Sequence, residues 1–185
     1  MSRREELTAH LFRLVHLMRC AEMKRALTSI DRAEPGLNFW RLIHGNLLDI
    51  AVLEWCKVFG SDGEATHWKK IVRAADHNQF RRDLLASLEL TADEWTAHWN
   101  EIKGYRDNLV AHHIEMNKVL NYPVLDIARK SSFFYYKLLI KELRSLGEMK
   151  YHDDLESYCV AFEKQAREIA SQALASTAAM KERVY

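Results

Sequence analysis

Apolar residues recur along this chain at intervals of three and four, and the alternating Val/Ile/Thr pattern of half-buried strands is absent. That periodicity predicts an all-α protein. A first helix is expected over about Glu5 to Ile30, with Leu7, Leu11, Leu14, His16, Met18, Ala21 and Leu27 facing inward or toward a partner, ending before Pro35-Gly36. A second, over about Leu37 to Phe59, carries Leu47, Leu48, Ile50, Ala51, Val52, Trp55 and Phe59 and leaves little polar circumference, so it is expected to be the most buried element. Gly60-Ser61-Asp62-Gly63 is the clearest turn signal. Two shorter helices are predicted near Ala65 to Ala74 and Asn78 to Leu88. Thr91-Ala92-Asp93-Glu94 has the form of a capping box and opens the next helix, which the pattern carries to about Ile114. Asn121-Tyr122-Pro123 separates it from a helix over about Val124 to Leu146, stopped by Gly147. A last helix, about 153–176, places Leu155, Tyr158, Cys159, Phe162, Ala166, Ile169 and Ala173 at helical spacing; it either packs on the bundle or extends a dimer.

At 185 residues without a composition break, the chain reads as one domain with a real core. Its 27 basic and 26 acidic residues leave a net charge of +1, which argues against a broad polyanion-binding surface and makes any basic patch local. Candidates are Arg3, Arg4 and Arg13, then Lys69, Lys70 and Arg73, then Arg81 and Arg82, each by itself a solvated helix face. Cys20, Cys56 and Cys159 lack metal or redox spacing and read as buried free thiols. Their odd number and the charged start of the chain point to a cytoplasmic protein, and no stretch is apolar for long enough to suggest a membrane span.

The chemistry concentrates in Tyr105-Arg106-Asp107-Asn108-Leu109-Val110-Ala111-His112. On a straight helix, Trp95, Trp99, Ile102, Leu109 and His113 fall in one stripe with Arg106 in its middle. A guanidinium in an apolar seam is costly unless it is paired or the seam borders a cleft or a subunit interface. Arginine matches phosphate oxygens, and histidine both takes and gives protons near neutral pH. Ideal helix geometry favours His113 as the partner of Arg106, with His112 about a third of a turn away. Gly104 reads as a tolerated surface glycine or as a point of close approach.

The string Arg106 to His112 resembles the R-x(4 to 6)-H signature of the HEPN superfamily, with an acid directly after the arginine. Leu53-Glu54-Trp55-Cys56-Lys57-Val58-Phe59-Gly60 and His67-Trp68-Lys69-Lys70 are similar to its AbiU-like, abortive-infection branch, and the likeness runs from about Leu37 to Leu139. Relatives commonly continue Ala-His-x-Asp, whereas here Ala111-His112-His113-Ile114 delays the acid to Glu115. The resemblance implies a single HEPN-like domain over 1–185, an up-and-down bundle of about five main helices plus short ones. It also implies a metal-independent, cofactor-free endoribonuclease in which Arg106 and His112 are the catalytic pair. Tyr105, Asp107, Asn108 and His113 would support them. The implied partners are a second copy of the chain, an RNA substrate and, in a phage-defence or toxin–antitoxin setting, an antitoxin protein. The alternative reading is a non-catalytic dimeric module that binds RNA, a nucleotide or a protein, with Arg106 paired to Asp107, Glu101 or Glu115.

A metal site is the weaker reading. Glu64 and His67 have Glu-x-x-His spacing, but Glu94 with His98, and Asp49 with Glu54, do not complete a helical-bundle ligand set. Glu64 then serves as a first-turn acid and His67 as a surface or boundary residue.

Overall fold

A computed structural model describes residues 2–30, 37–110 and 122–182. Among them the chain forms six α-helices and no strand: α1 (Arg3–Thr28), α2 (Asn38–Trp55), α3 (His77–Leu88), α4 (Ala92–Tyr105), α5 (Asp126–Ser145) and α6 (Leu155–Thr177). The expected helix near Ala65 to Ala74 is replaced by two single 3-10 turns, Trp68–Lys70 and Ala74–Asp76. The Trp68 indole explains the break, because it stacks on Phe80 of α3 with ring centroids 4.1 Å apart and folds the segment back onto that helix.

The helix ends follow local chemistry. Ser2 and Glu5 form a capping box that starts α1, with the Ser2 amide donating to the Glu5 carboxylate at 2.7 Å. Thr91 and Glu94 form the expected box at α4. Gly147, with φ of +78°, takes the left-handed position after α5. The Glu148 amide then reaches the Leu143 carbonyl at 3.0 Å, and the Gly147 amide that of Arg144.

The central element is α1 rather than α2. It packs against α2, α5 and α6, burying Leu7, Leu11, Leu14, Leu17 and Met18 against Trp55, Tyr135, Leu139 and Leu143 in one core cluster. The start of α2 is open instead, with Phe39 and Leu42 exposed. On α1 the buried imidazole is His10, whereas His16 is exposed. On α6 only Leu155 and Cys159 are fully buried, and Ile169 is exposed.

Charges cross this core only in pairs. Glu22, 1 % exposed, accepts from Arg129 of α5 at 2.7 Å and from Arg25 at 2.8 Å. Glu54 accepts from Arg13 and Lys57 and ties α2 to α1. Among the described residues three imidazoles are buried as well. The Tyr135 hydroxyl and His10 Nδ1 share a hydrogen bond at 3.1 Å. His67 and His98 complete the set, and His98 Nε2 has no hydrogen-bond partner among the described residues. Burial pushes all three down to about 4 from the usual 6.5.

Because these groups stay neutral in the folded chain, the unfolded chain binds more protons between pH 6.5 and 4. Stability is therefore complete above about pH 6.5 and falls as pH drops toward 4, by up to about 3 kcal/mol per imidazole. Denaturant titrations across this window should show that loss. The ring of His98 packs edge-on to Trp55 with centroids 5.3 Å apart, so His98→Phe should be neutral or stabilising at pH 7 and should flatten the pH profile. An unchanged profile would mean that His98 does not remain neutral in the core.

Candidate functional site

The candidate site grows out of two places where the helical ladder widens. After Trp55, α2 continues as a π-helical turn, Cys56–Gly60, and after Tyr105, α4 continues as another, Arg106–Val110. Such turns recur at functional sites because an extra residue in the turn displaces backbone and side chains from the regular helix. Here they lie against each other's parent helices, the first against α4 and the second against α2. The Trp99 indole N–H joins them, donating to the Phe59 carbonyl at 2.8 Å and reaching that of Gly60 at 3.3 Å.

Arg106 lies in the seam between the two π turns, with 18 % of its side chain exposed. Its Nε and Nη2 both reach Asp107 Oδ1, at 2.8 and 2.6 Å. Sequence neighbours do not face each other on a regular α-helix; this pair does so within the π turn. Nη1 points toward Gly60, 3.7 Å from where a β-carbon on that residue would lie. The same β-carbon would stand 3.3 Å from Cys56 Cβ, so Gly60 is a close approach, whereas among the described residues nothing lies within 4 Å of a β-carbon at Gly104.

Tyr105 is buried and donates to Asp49 Oδ1 of α2 at 2.7 Å. Burial, followed by that carboxylate, raises its phenol further above the usual value, so it serves as a hydrogen-bond donor. Asn108 is exposed within the turn. His112 and His113 lie outside the described residues, as does the end of the predicted helix from 111 to about Ile114.

Cys56 lies beside the arginine without being activated by it. Burial pushes its thiol up to about 11, outweighing the lowering effect of the Arg106 charge.

The sequence reading missed a cleft of about 420 Å³ next to this seam. Phe59, Trp68, Trp95 and Trp99 supply much of its wall, and Asp62, Lys69, Arg81 and Thr96 add polar groups. His67 is not a boundary residue: 2 % exposed, it accepts from the Lys69 amide through Nδ1 and caps the 3-10 turn that carries Trp68. Its Nε2 lies 3.4 Å from Asp62. Three tryptophans within 32 positions were the available signal, but only folding places them around one space. No group of three or more His, Cys, Asp or Glu side chains among the described residues is placed to hold a metal ion.

All three cysteines are buried free thiols, and burial raises each. A chromogenic disulfide reagent should therefore titrate none of them in the native protein and all three in denaturant. Rapid native reaction of Cys56 would instead identify an accessible nucleophile beside Arg106.

No protein-family model matches this chain, and comparison with curated proteins and with solved structures gives no match.

Proposed function

We propose that this chain is a metal-independent endoribonuclease of the HEPN, AbiU-like type, working as a homodimer whose composite site pairs Arg106 with His112. The observation that carries the reading is Arg106 itself: a largely buried guanidinium in a π turn, held by Asp107 at the edge of an apolar seam, within an R-x5-H string. A charge kept in such a place costs stability, and that cost is accounted for where the charge has an anion to meet.

In the proposed reaction, the 2′-hydroxyl of the ribose attacks the adjacent phosphorus. The new 2′-O–P bond forms as the P–O5′ bond breaks, leaving a 2′,3′-cyclic phosphate and a 5′-hydroxyl. One imidazole removes the 2′ proton and another protonates the leaving oxygen, while Arg106 meets the charge developing on the non-bridging oxygens. A single His112 does not readily serve both sides of an in-line displacement. Two copies related by a two-fold axis near α4 supply both. Tyr105 fixes α4 to α2 through Asp49, Asp107 orients the guanidinium, and Asn108 and His113 flank the string. The setting proposed is cytoplasmic phage defence, with an antitoxin protein as a further partner.

A second reading has its own support. The Arg106–Asp107 ion pair already compensates the guanidinium within one chain, as in a non-catalytic dimeric module that binds RNA, a nucleotide or a protein.

Assays separate the two. Cleavage should persist in chelator, because Arg106 and His112 supply the charge and the proton transfers, and should yield 2′,3′-cyclic ends. His112→Ala and Arg106→Ala should each lower the rate by about 10²-fold or more while remaining folded dimers in sedimentation. Failure of wild-type protein to cut any RNA in a broad panel, or cutting only with added divalent metal, would replace the nuclease by the binding module. A strict monomer at tens of micromolar would remove the composite site.

A further inference from the structure

The cleft beside the arginine seam has a chemistry of its own. Its apolar walls come from four elements: Phe59 from the first π turn, Trp68 from the 3-10 turn, Leu84 from α3, and Trp95 and Trp99 from α4. A volume of about 420 Å³ falls within the range of roughly 300–1,000 Å³ usual for small-molecule sites, which join apolar walls to a few placed polar groups. Trp68 and Trp99 are fixed before any ligand arrives. Trp68 is stacked on Phe80, and the Trp99 indole is bonded to the carbonyls of Phe59 and Gly60. Fixed aromatic walls suit a planar ring, whose stacking gain is not spent on ordering the side chains.

The polar groups decide what that ring carries. Asp62, Lys69 and Arg81 all line the cleft. Lys69 is ion-paired with Asp62. Arg81 stands with its guanidinium 5.9 Å from the centre of the Trp68 ring, and among the described residues it takes part in no ion pair. One acid against two cations leaves a net positive charge, and the His67 imidazole at the wall stays neutral at pH 7 because burial holds it near 4. The cleft therefore offers a planar fork for an oxyanion, a carboxylate that accepts from hydroxyl or amino groups, and aromatic walls. A simple aromatic acid would use only the first and last of these. A nucleotide uses all three.

We propose that this cleft binds one nucleoside monophosphate unit, its base against the partly exposed Trp95 and Trp99 walls, its phosphate at Arg81 and its hydroxyl or amino groups toward Asp62. The site requires neither His112 nor a second copy of the chain. The unit comes either as a free mononucleotide or as an unpaired nucleotide of a single strand. Gly60 lines the cleft and also abuts Arg106, so the two sites share one residue.

The test uses this chain with Arg106→Ala, which removes the cutting expected of the proposed nuclease. AMP is titrated into it with tryptophan fluorescence and equilibrium dialysis as readouts. Saturable binding is expected, with adenosine at least about tenfold weaker, because it lacks the charged group that Arg81 meets. Arg81 and Thr96 are both exposed, so substitutions there spare the core. Arg81→Glu should weaken AMP by about tenfold or more, and Thr96→Trp should block the cleft. A hexa-adenylate binding about tenfold tighter than AMP, with the gain lost in Arg81→Glu, identifies a strand. Equal affinities identify a free nucleotide. Absence of AMP binding at millimolar concentration, or AMP affinity unchanged within about twofold in both cleft variants, overturns the proposal. The nuclease reading is decided separately by wild-type cleavage, so either can fail without the other.

Discussion

The Trp99 indole N–H is the contact on which the arrangement of the site depends. A helix that ends leaves carbonyl groups without intrahelical partners, and burying them unpaired costs free energy. The first π turn ends α2 inside the protein, with Phe59 and Gly60 buried. Trp99 reaches across from α4 to those two carbonyls and in doing so fixes where α4 runs. Tyr105, two turns further along, holds Asp49 of α2, so α4 is tied to α2 at two heights. Arg106 follows Tyr105 directly, and its position beside Gly60 and Cys56 is a consequence of both ties.

The same geometry explains how a guanidinium is tolerated there. On a regular α-helix Arg106 and Asp107 would point about 100° apart. In the π turn they form a two-nitrogen contact with one carboxylate oxygen, leaving Nη1 turned toward the first π turn. The core handles its other charges similarly: Glu22 and Glu54 each meet two cations, and these pairs link α1 to α5 and to α2. Such pairs add little net stability against apolar replacements, but stranding one partner is costly, so they penalise alternative packings. Glycine at position 60 is part of this arrangement, since a β-carbon would crowd Cys56 and approach Arg106.

Arginine seam and tryptophan cleft occupy opposite sides of one short piece of backbone. Phe59 and Gly60 line the cleft, while Gly60 also abuts the guanidinium. Trp99 belongs to both, since its ring forms cleft wall and its N–H caps the turn. From Trp99 to Arg106 is seven residues, roughly 10 Å along a helix axis. Lys103 lies between them with its ammonium 4.7 Å from the centre of the Trp99 ring.

The sequence by itself determined the all-α class, most helix boundaries, the box at Thr91 and Glu94, the stop at Gly147 and the burial of the three cysteines. These are local properties, set by periodicity, capping groups and backbone freedom within a few residues. Tertiary structure decided the rest. α1 displaced α2 as the hub because it is covered on three sides, by α2, α5 and α6. His10 and His67 went inside because Tyr135 and the Lys69 amide supply hydrogen-bond partners from elsewhere in the fold or turn. The predicted helix near Ala65 to Ala74 gave way to Trp68 stacking on Phe80. The π turns and the cleft are invisible to a straight-helix projection: the carbonyls of the first turn are met by Trp99 from a distant helix, and the cleft gathers aromatic rings from four elements.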